Sequence, residues 1–239
     1  MTKVNLLLLP GLMCDADVWR HQIDLLEDIA NIIVPEFRGL DSLVEMAKKS
    51  LAQAPERFAL AGHSMGGRVA LEVYRLSPER VTRLALLDTG VHPAGVGEPA
   101  KRQVYLDLAA DQGMRVLAAA WMPPMVHPDR RNDRGLLDEI ERMITRTTVA
   151  EFEGQIRALL QRPDAASVPA SVRCPTLLLC GRADEWSPPD QHAAIAREIP
   201  GATMVIIEHA GHMVTMEKPA EVSQALRRWL TGQGVAGKV

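Results

Sequence analysis

Six short runs of consecutive apolar residues, each followed by turn residues and then by helical periodicity, constrain this 239-residue chain more than any other feature. They are VNLLLLP at Val4–Pro10, NIIVP at Asn31–Pro35, RFALAG at Arg57–Gly62, RLALLD at Arg83–Asp88, PTLLLCG at Pro175–Gly181 and ATMVIIE at Ala202–Glu208. A strand with one face in water alternates apolar and polar residues, whereas a strand apolar at successive positions is buried on both faces. The runs therefore predict an α/β fold with about six mainly parallel strands covered by helices.

The connecting segments read as those helices. DADVWRHQIDLLEDI sets Val18, Ile23, Leu26 and Ile29 near one face behind a cap at Asp15. MGGRVALEVYRLSP carries Val69, Leu71 and Val73 to Leu76 until Pro78 stops it. A last helix from about Pro219 carries Val222, Ala225, Leu226, Trp229 and Leu230, and the TGQGVAGKV that follows, with nothing to bury, is expected to fray.

Between Thr89 and about Arg173 no strand-like run occurs. Helical patterns such as GMRVLAAAWM and LLDEIERMITR, interrupted by Pro123, Pro124 and Pro128, fill the interval, and a helical insertion explains it better than a structureless loop of that size. The expected organisation is a single domain, 1–239, with its core in 1–89 and 174–239 and a helical cap inserted at about 90–173. In a doubly wound sheet of this kind, ligands bind beyond the carboxyl ends of the strands.

Composition narrows the partners. With 47% hydrophobic and 24% charged residues and a formal charge of −3, the chain has no basic footprint for nucleic acid and no Lys/Arg-rich run for an acidic membrane. No apolar run approaches the roughly 20 residues that span a bilayer. Cys14, Cys174 and Cys180 are an odd set without Cys-x-x-Cys spacing, which argues against a disulfide framework and against a zinc site. A reducing compartment fits them, and MTKVNLLLLPG is too short for a secretory signal. The expectation is a cytoplasmic protein acting on a small molecule, with no metal and no organic cofactor.

The strand ends supply the chemistry. Gly62-His63-Ser64-Met65-Gly66, inside LAGHSMGGRVA, matches a Gly-x-Ser-x-Gly nucleophile elbow and stands between a buried strand and a helix, as that motif requires. The structural alternative is a tight turn whose serine caps the next helix. A serine hydroxyl becomes a useful nucleophile only when a base takes its proton and an acid orients that base. LLLCGRADEWSP offers Asp184 after the fifth run, and IIEHAGHMVTMEKP offers His212 after the sixth. The chain order Ser, Asp, His is that of the α/β-hydrolase arrangement rather than of the common proteases.

LLPG, GHSMGG, GRADEWSP and HAGHMVTMEKP, in that order across nearly the whole chain, resemble the α/β-hydrolase superfamily, in its serine esterase-like branch with a helical cap. The resemblance implies Ser64 as nucleophile, His212 as general base and then acid, and Asp184 as the group that holds the imidazole. His212 is preferred to His209 because the family's histidine follows a glycine, here Gly211. Asp184 is preferred to Asp88, which also ends a strand, while Glu185 reads as solvated and His63 as a packing residue. Backbone N–H groups of Met65 and Leu12 are the implied oxyanion donors. The usual His-Gly pair of that first loop is Pro10-Gly11 here, which puts the loop's rigidity in question. Many members also carry an antiparallel hairpin before the first strand, and here the Val4–Pro10 strand is expected to come first.

Serine at the elbow disfavours the dehalogenase and epoxide hydrolase chemistries, which need a carboxylate there. The expected reaction is hydrolysis of a small to medium carboxylic ester through an acyl-enzyme. Met13, Trp121, Met122 and Met125 are candidates for an adaptable apolar acyl pocket, against the alternative that they pack the cap. Lactone opening, carbon–carbon hydrolysis, peroxyacid formation or lyase activity on the same three residues stand as alternatives. So do a non-catalytic binding protein on this fold and a surface-active lipase. Cys14, close to the oxyanion loop but without an adjacent base, reads as a buried or wall-lining thiol.

Overall fold

The computed structural model describes residues 3–233. Its strands are β1 (Val4–Leu9), β2 (Ala30–Ile33), β3 (Phe58–His63), β4 (Val81–Leu87), β5 (Thr176–Gly181) and β6 (Thr203–Ile207), in one parallel sheet ordered β2-β1-β3-β4-β5-β6. Each apolar run is a strand. The central ones are buried on both faces: Leu6 to Leu9, Ala59 to Ala61, Leu84 to Leu87 and Leu177 to Cys180 have no exposed surface. The edge strands differ, for most of β6 is only half-buried despite its unbroken apolar run. An edge strand has a neighbour on one side only, so the same pattern buries less there.

Register sets the strand ends level. Leu9 lies opposite Gly62, Gly62 opposite Leu86, Leu86 opposite Leu178, and Leu178 opposite Met204. The loops leaving β1, β3, β4, β5 and β6 therefore emerge along one rim. Strand order reverses between β1 and β3, which opens the crevice where doubly wound sheets take their ligands.

The helices are α1 (Arg20–Leu26), α2 (Leu43–Gln53), α3 (Met65–Leu76), α4 (Glu98–Trp121), α5 (Arg134–Ile144), α6 (Val149–Leu160), α7 (Pro189–Glu198), α8 (Val214–Glu217) and α9 (Pro219–Thr231). Helix α3 packs on β1, β3 and β4 and against α2, α7 on β5 and β6, and α1 against α9. Asp15 caps a short 3-10 turn, Ala16–Trp19, ahead of α1 rather than α1 itself. From β4 to β5 the chain runs through α4, α5, α6 and 3-10 turns, with Pro123–Met125 and Pro128–Arg130 marking the prolines. Gly113, at φ 79°, breaks α4 into two stretches. Helix α9 stops at Gly232, φ 71°, and positions 234–239 of the expected frayed tail lie outside the described residues. Among the described residues no helix is long and apolar enough to cross a membrane.

Candidate active site

β3 passes into α3 through Ser64 alone, at φ 54° and ψ −117°. Such a backbone costs on the order of 1–3 kcal/mol for a residue with a Cβ and persists only where its surroundings enforce it. They do: the Ser64 N–H donates to the Leu87 carbonyl at 2.9 Å, and the Thr89 hydroxyl donates to the Ser64 carbonyl at 2.8 Å. A Cβ on Gly62 would strike the backbone of Gly66, and one on Gly66 the backbone of Leu9, so the turn closes only with glycine at both positions.

His212, in the loop after β6, brings Nε2 to 2.8 Å from the Ser64 Oγ and Nδ1 to 2.9 Å from Asp184 Oδ2. The other carboxylate oxygen of Asp184 accepts the N–H groups of Trp186 (2.9 Å) and Ser187 (3.0 Å). Burial alone would raise the pKa of Asp184, but the adjacent imidazole and those hydrogen bonds outweigh it and hold the carboxyl well below the ordinary carboxylate range. Three residues far apart in the chain thus form one line of hydrogen bonds at the rim of the sheet.

Asp88 and His63 sit beneath this line in other roles. Asp88 Oδ1 accepts the Gly181 N–H at 3.0 Å, and its second oxygen is buried without a hydrogen-bond partner. Burial, reinforced by the charge of Asp184, pushes its pKa well up. His63 is fully buried, its pKa lowered to about 3 by desolvation and then by His212, and its Nε2–H donates to the His212 carbonyl at 2.8 Å. It packs, as expected, and it also fixes the backbone that carries the imidazole. His209 lies outside the hydrogen-bonded line, against His127.

The loop after β1 comes up beside the serine: a Cβ on Gly11 would lie 3.1 Å from His63 Nδ1 and 3.3 Å from Ser64 Cβ. Among the described residues, the N–H groups of Leu12 and Met65 donate to no protein acceptor. The next N–H, of Met13, donates to Gln155 Oε1 at 2.8 Å. Met13 itself has φ 56°, so a buried glutamine from α6 anchors the strained part of a loop that lacks the usual histidine.

A model of the alpha/beta hydrolase family matches residues 6–225. The chain belongs to this family. Its structure resembles that of a thermophilic esterase from Thermogutta terrifontis in a malate-bound form, with a TM-score of 0.89 and 29% identity over 98% of this chain and 92% of that one. The (E)-2-((N-methylformamido)methylene)succinate hydrolase of Acinetobacter baylyi is 25% identical over 94% of this chain and 89% of its own length. The dihydrolipoyllysine-residue acetyltransferase component of the acetoin cleaving system of Pseudomonas putida is 31% identical over 176 residues, and the match spans only 45% of that protein.

In this hydrolase Ser64, His212 and Leu12 face a cavity of about 450 Å³ whose far wall comes from the segment between β4 and β5. Trp121 and Met125 line it; Met13 and Met122 do not. Met13 is 1% exposed and packs into the core below its loop, and Met122 is buried beside the 3-10 turn at Pro123. Tyr105, Trp186, Arg68 and Arg162 line it instead, side chains that no periodicity or motif marks as facing a common space. Cys14 also reaches the wall, and burial pushes its thiol up to about 12, which leaves it inert as a nucleophile.

A third buried acid braces the site. Glu217, in α8, accepts the Gly211 N–H on one oxygen and the His127 N–H on the other, both at 2.7 Å. It therefore ties the His212 loop to the inserted helical segment, and the Met213 N–H adds a bond to the Met125 carbonyl at 3.1 Å. Among the described residues, the ligand atoms of His127, Asp129 and His209 also lie within 4.8 Å of one another, with Asp129 and His209 exposed. No residue of the hydrogen-bonded line belongs to that group.

Proposed function

We propose that this hydrolase cleaves a small to medium carboxylic ester through an acyl-enzyme on Ser64. The observation that carries the reading is the pair of hydrogen bonds on His212, 2.8 Å to the Ser64 hydroxyl and 2.9 Å to Asp184, beside a cavity that Ser64 and His212 line. The Ser64 oxygen attacks the ester carbonyl while His212 Nε2 takes its proton. Asp184 keeps the other ring nitrogen protonated and stabilises the imidazolium that forms. The developing oxyanion is received by the N–H groups of Leu12 and Met65, near the N-terminus of α3, where the helix dipole favours negative charge.

His212 then gives its proton to the departing alcohol. Water enters, His212 takes a proton from it, and attack on the acyl-enzyme releases the acid and returns the Ser64 hydroxyl. In this reading residues 90–173 act as a cap, excluding bulk water from the cavity, while Trp121 and Met125 shape an apolar part of the acyl pocket.

A panel of p-nitrophenyl esters of increasing acyl length tests the proposal. The parent is expected to turn over short and medium acyl chains, and Ser64→Ala to lose activity by about 10⁴-fold or more. Equal turnover by the two proteins would refute it.

A further inference from the structure

Charge in the cavity wall does not balance. Arg68, Lys101, Arg102 and Arg162 line it against two acids, Glu98 and Asp88, and burial favours the protonated form of Asp88. Two of the arginines are committed. Arg162, its side chain 2% exposed, donates to Glu98 Oε1 at 2.9 Å and Oε2 at 2.7 Å and to the carbonyls of His92, Pro93 and Leu159. The Arg102 Nε–H donates to Glu98 Oε1 at 2.8 Å. Burial would raise Glu98, but these two guanidinium groups outweigh it and pull its pKa down to about 2. One carboxylate is thus shared by two cations, of which Arg162 also ties α4 to the loop after β4 through the His92 and Pro93 carbonyls.

Arg68 is left over. It donates one hydrogen bond to protein, to the His92 carbonyl at 2.9 Å, and among the described residues no carboxylate lies within ion-pair distance of it. Desolvation, then repulsion from Arg162, lower its pKa to about 9, far below the ordinary guanidinium range. A half-buried cation with free donors and no counter-charge is a costly arrangement unless something else supplies the anion. Its position says where that anion would come from: Arg68 lies in the first turn of α3, its backbone N–H directed at the Ser64 carbonyl at 3.4 Å, and its side chain lines the same cavity as Ser64.

We propose that Arg68 receives a carboxylate of the substrate, so that the ester this hydrolase cleaves is an anionic one, with its acid group a short spacer from the scissile carbonyl. The inference deepens the ester-hydrolase reading and rests on it. A carboxylate matches the planar guanidinium through paired hydrogen bonds, which fixes the substrate's orientation over Ser64 as well as holding it. Lys101, exposed at the mouth of the cavity, adds attraction for the same charge. The apolar wall at Trp121 and Met125 is left for the spacer.

Two measurements test this. The first compares kcat/KM for monomethyl succinate with that for dimethyl succinate in the parent, in Arg68→Gln and in Arg68→Lys, with circular dichroism as the check on folding. The anionic ester is expected to be preferred by about tenfold to a hundredfold in the parent, the ratio falling toward one in Arg68→Gln and recovering in part in Arg68→Lys. The second titrates succinate into Ser64→Ala by calorimetry, where binding is expected and is expected to weaken about tenfold or more in Ser64→Ala/Arg68→Gln. Absence of ester turnover with Arg68-dependent succinate binding would sink the ester reading and leave the anion subsite standing. Equal use of both esters by the parent, together with no succinate binding by Ser64→Ala, would overturn the inference while leaving the serine mechanism intact, and neither result depends on the Arg68 variants folding.

Discussion

Asp88 and Asp184 lie at the ends of neighbouring strands, and their surroundings drive them in opposite directions. Asp184 gains an imidazole and two backbone N–H groups, which depress its pKa; Asp88 gains one N–H and faces Asp184, and burial raises its pKa. The consequences for stability have opposite signs. Asp184, depressed in the fold, contributes stability above the ordinary carboxylate pKa of about 4, and this is lost as pH falls below it. Asp88, raised in the fold, retains a proton that the unfolded chain releases above about pH 4, so its contribution declines as pH rises. Asn at position 88 keeps an oxygen for the Gly181 N–H and tolerates the φ of 46° found there. Asp88→Asn is therefore expected to raise the melting temperature at pH 7–9, by about 2–4 °C for each kcal/mol recovered, and to leave it unchanged near pH 3. A melting profile with the parent's slope on the alkaline side would contradict this account of Asp88.

At the scale of elements, the working geometry depends on contacts between the sheet rim and the helices inserted after β4. Gln155 of α6 reaches the Met13 N–H beside Leu12, the proposed oxyanion donor, and Glu217 of α8 joins the His212 loop to His127. Gln155→Ala would leave the buried Met13 N–H without its acceptor, a cost of about 1–3 kcal/mol. If the loop after β1 is held by that bond, kcat for a neutral p-nitrophenyl ester should fall about tenfold or more with KM little changed, because oxyanion donors act on the transition state. Loss of thermal stability with kcat intact would show that Gln155 braces the fold without positioning the loop.

For the whole molecule, the architecture was legible wherever a local pattern is repeated. Runs such as Leu6 to Leu9 report two-sided burial directly, and Gly62 and Gly66 around Ser64 report a turn that no other residue could make. The hydrogen-bonded line was also open to reading, because each of Ser64, Asp184 and His212 sits just beyond a strand end and the parallel register brings those ends level. What resisted was pairing across the fold. Gln155 with Met13, Glu217 with His127, and Arg68 left without a carboxylate are products of how α4 and α6 settle over the rim, and separations such as 142 residues leave no periodic trace. The pocket residues Met13 and Met122 were misplaced for the same reason, since an apolar side chain near a cavity reads the same whether it faces the space or the core.

The central claim is that the Ser64 oxygen is the atom that attacks. It is tested most directly by treating the protein with a fluorophosphonate and measuring intact mass and the modified peptide. One phosphonyl group per chain on Ser64 is expected, absent in Ser64→Ala and formed far more slowly in His212→Ala. A protein that hydrolyses esters while taking up no label, or that is labelled at another residue with Ser64 untouched, would contradict it.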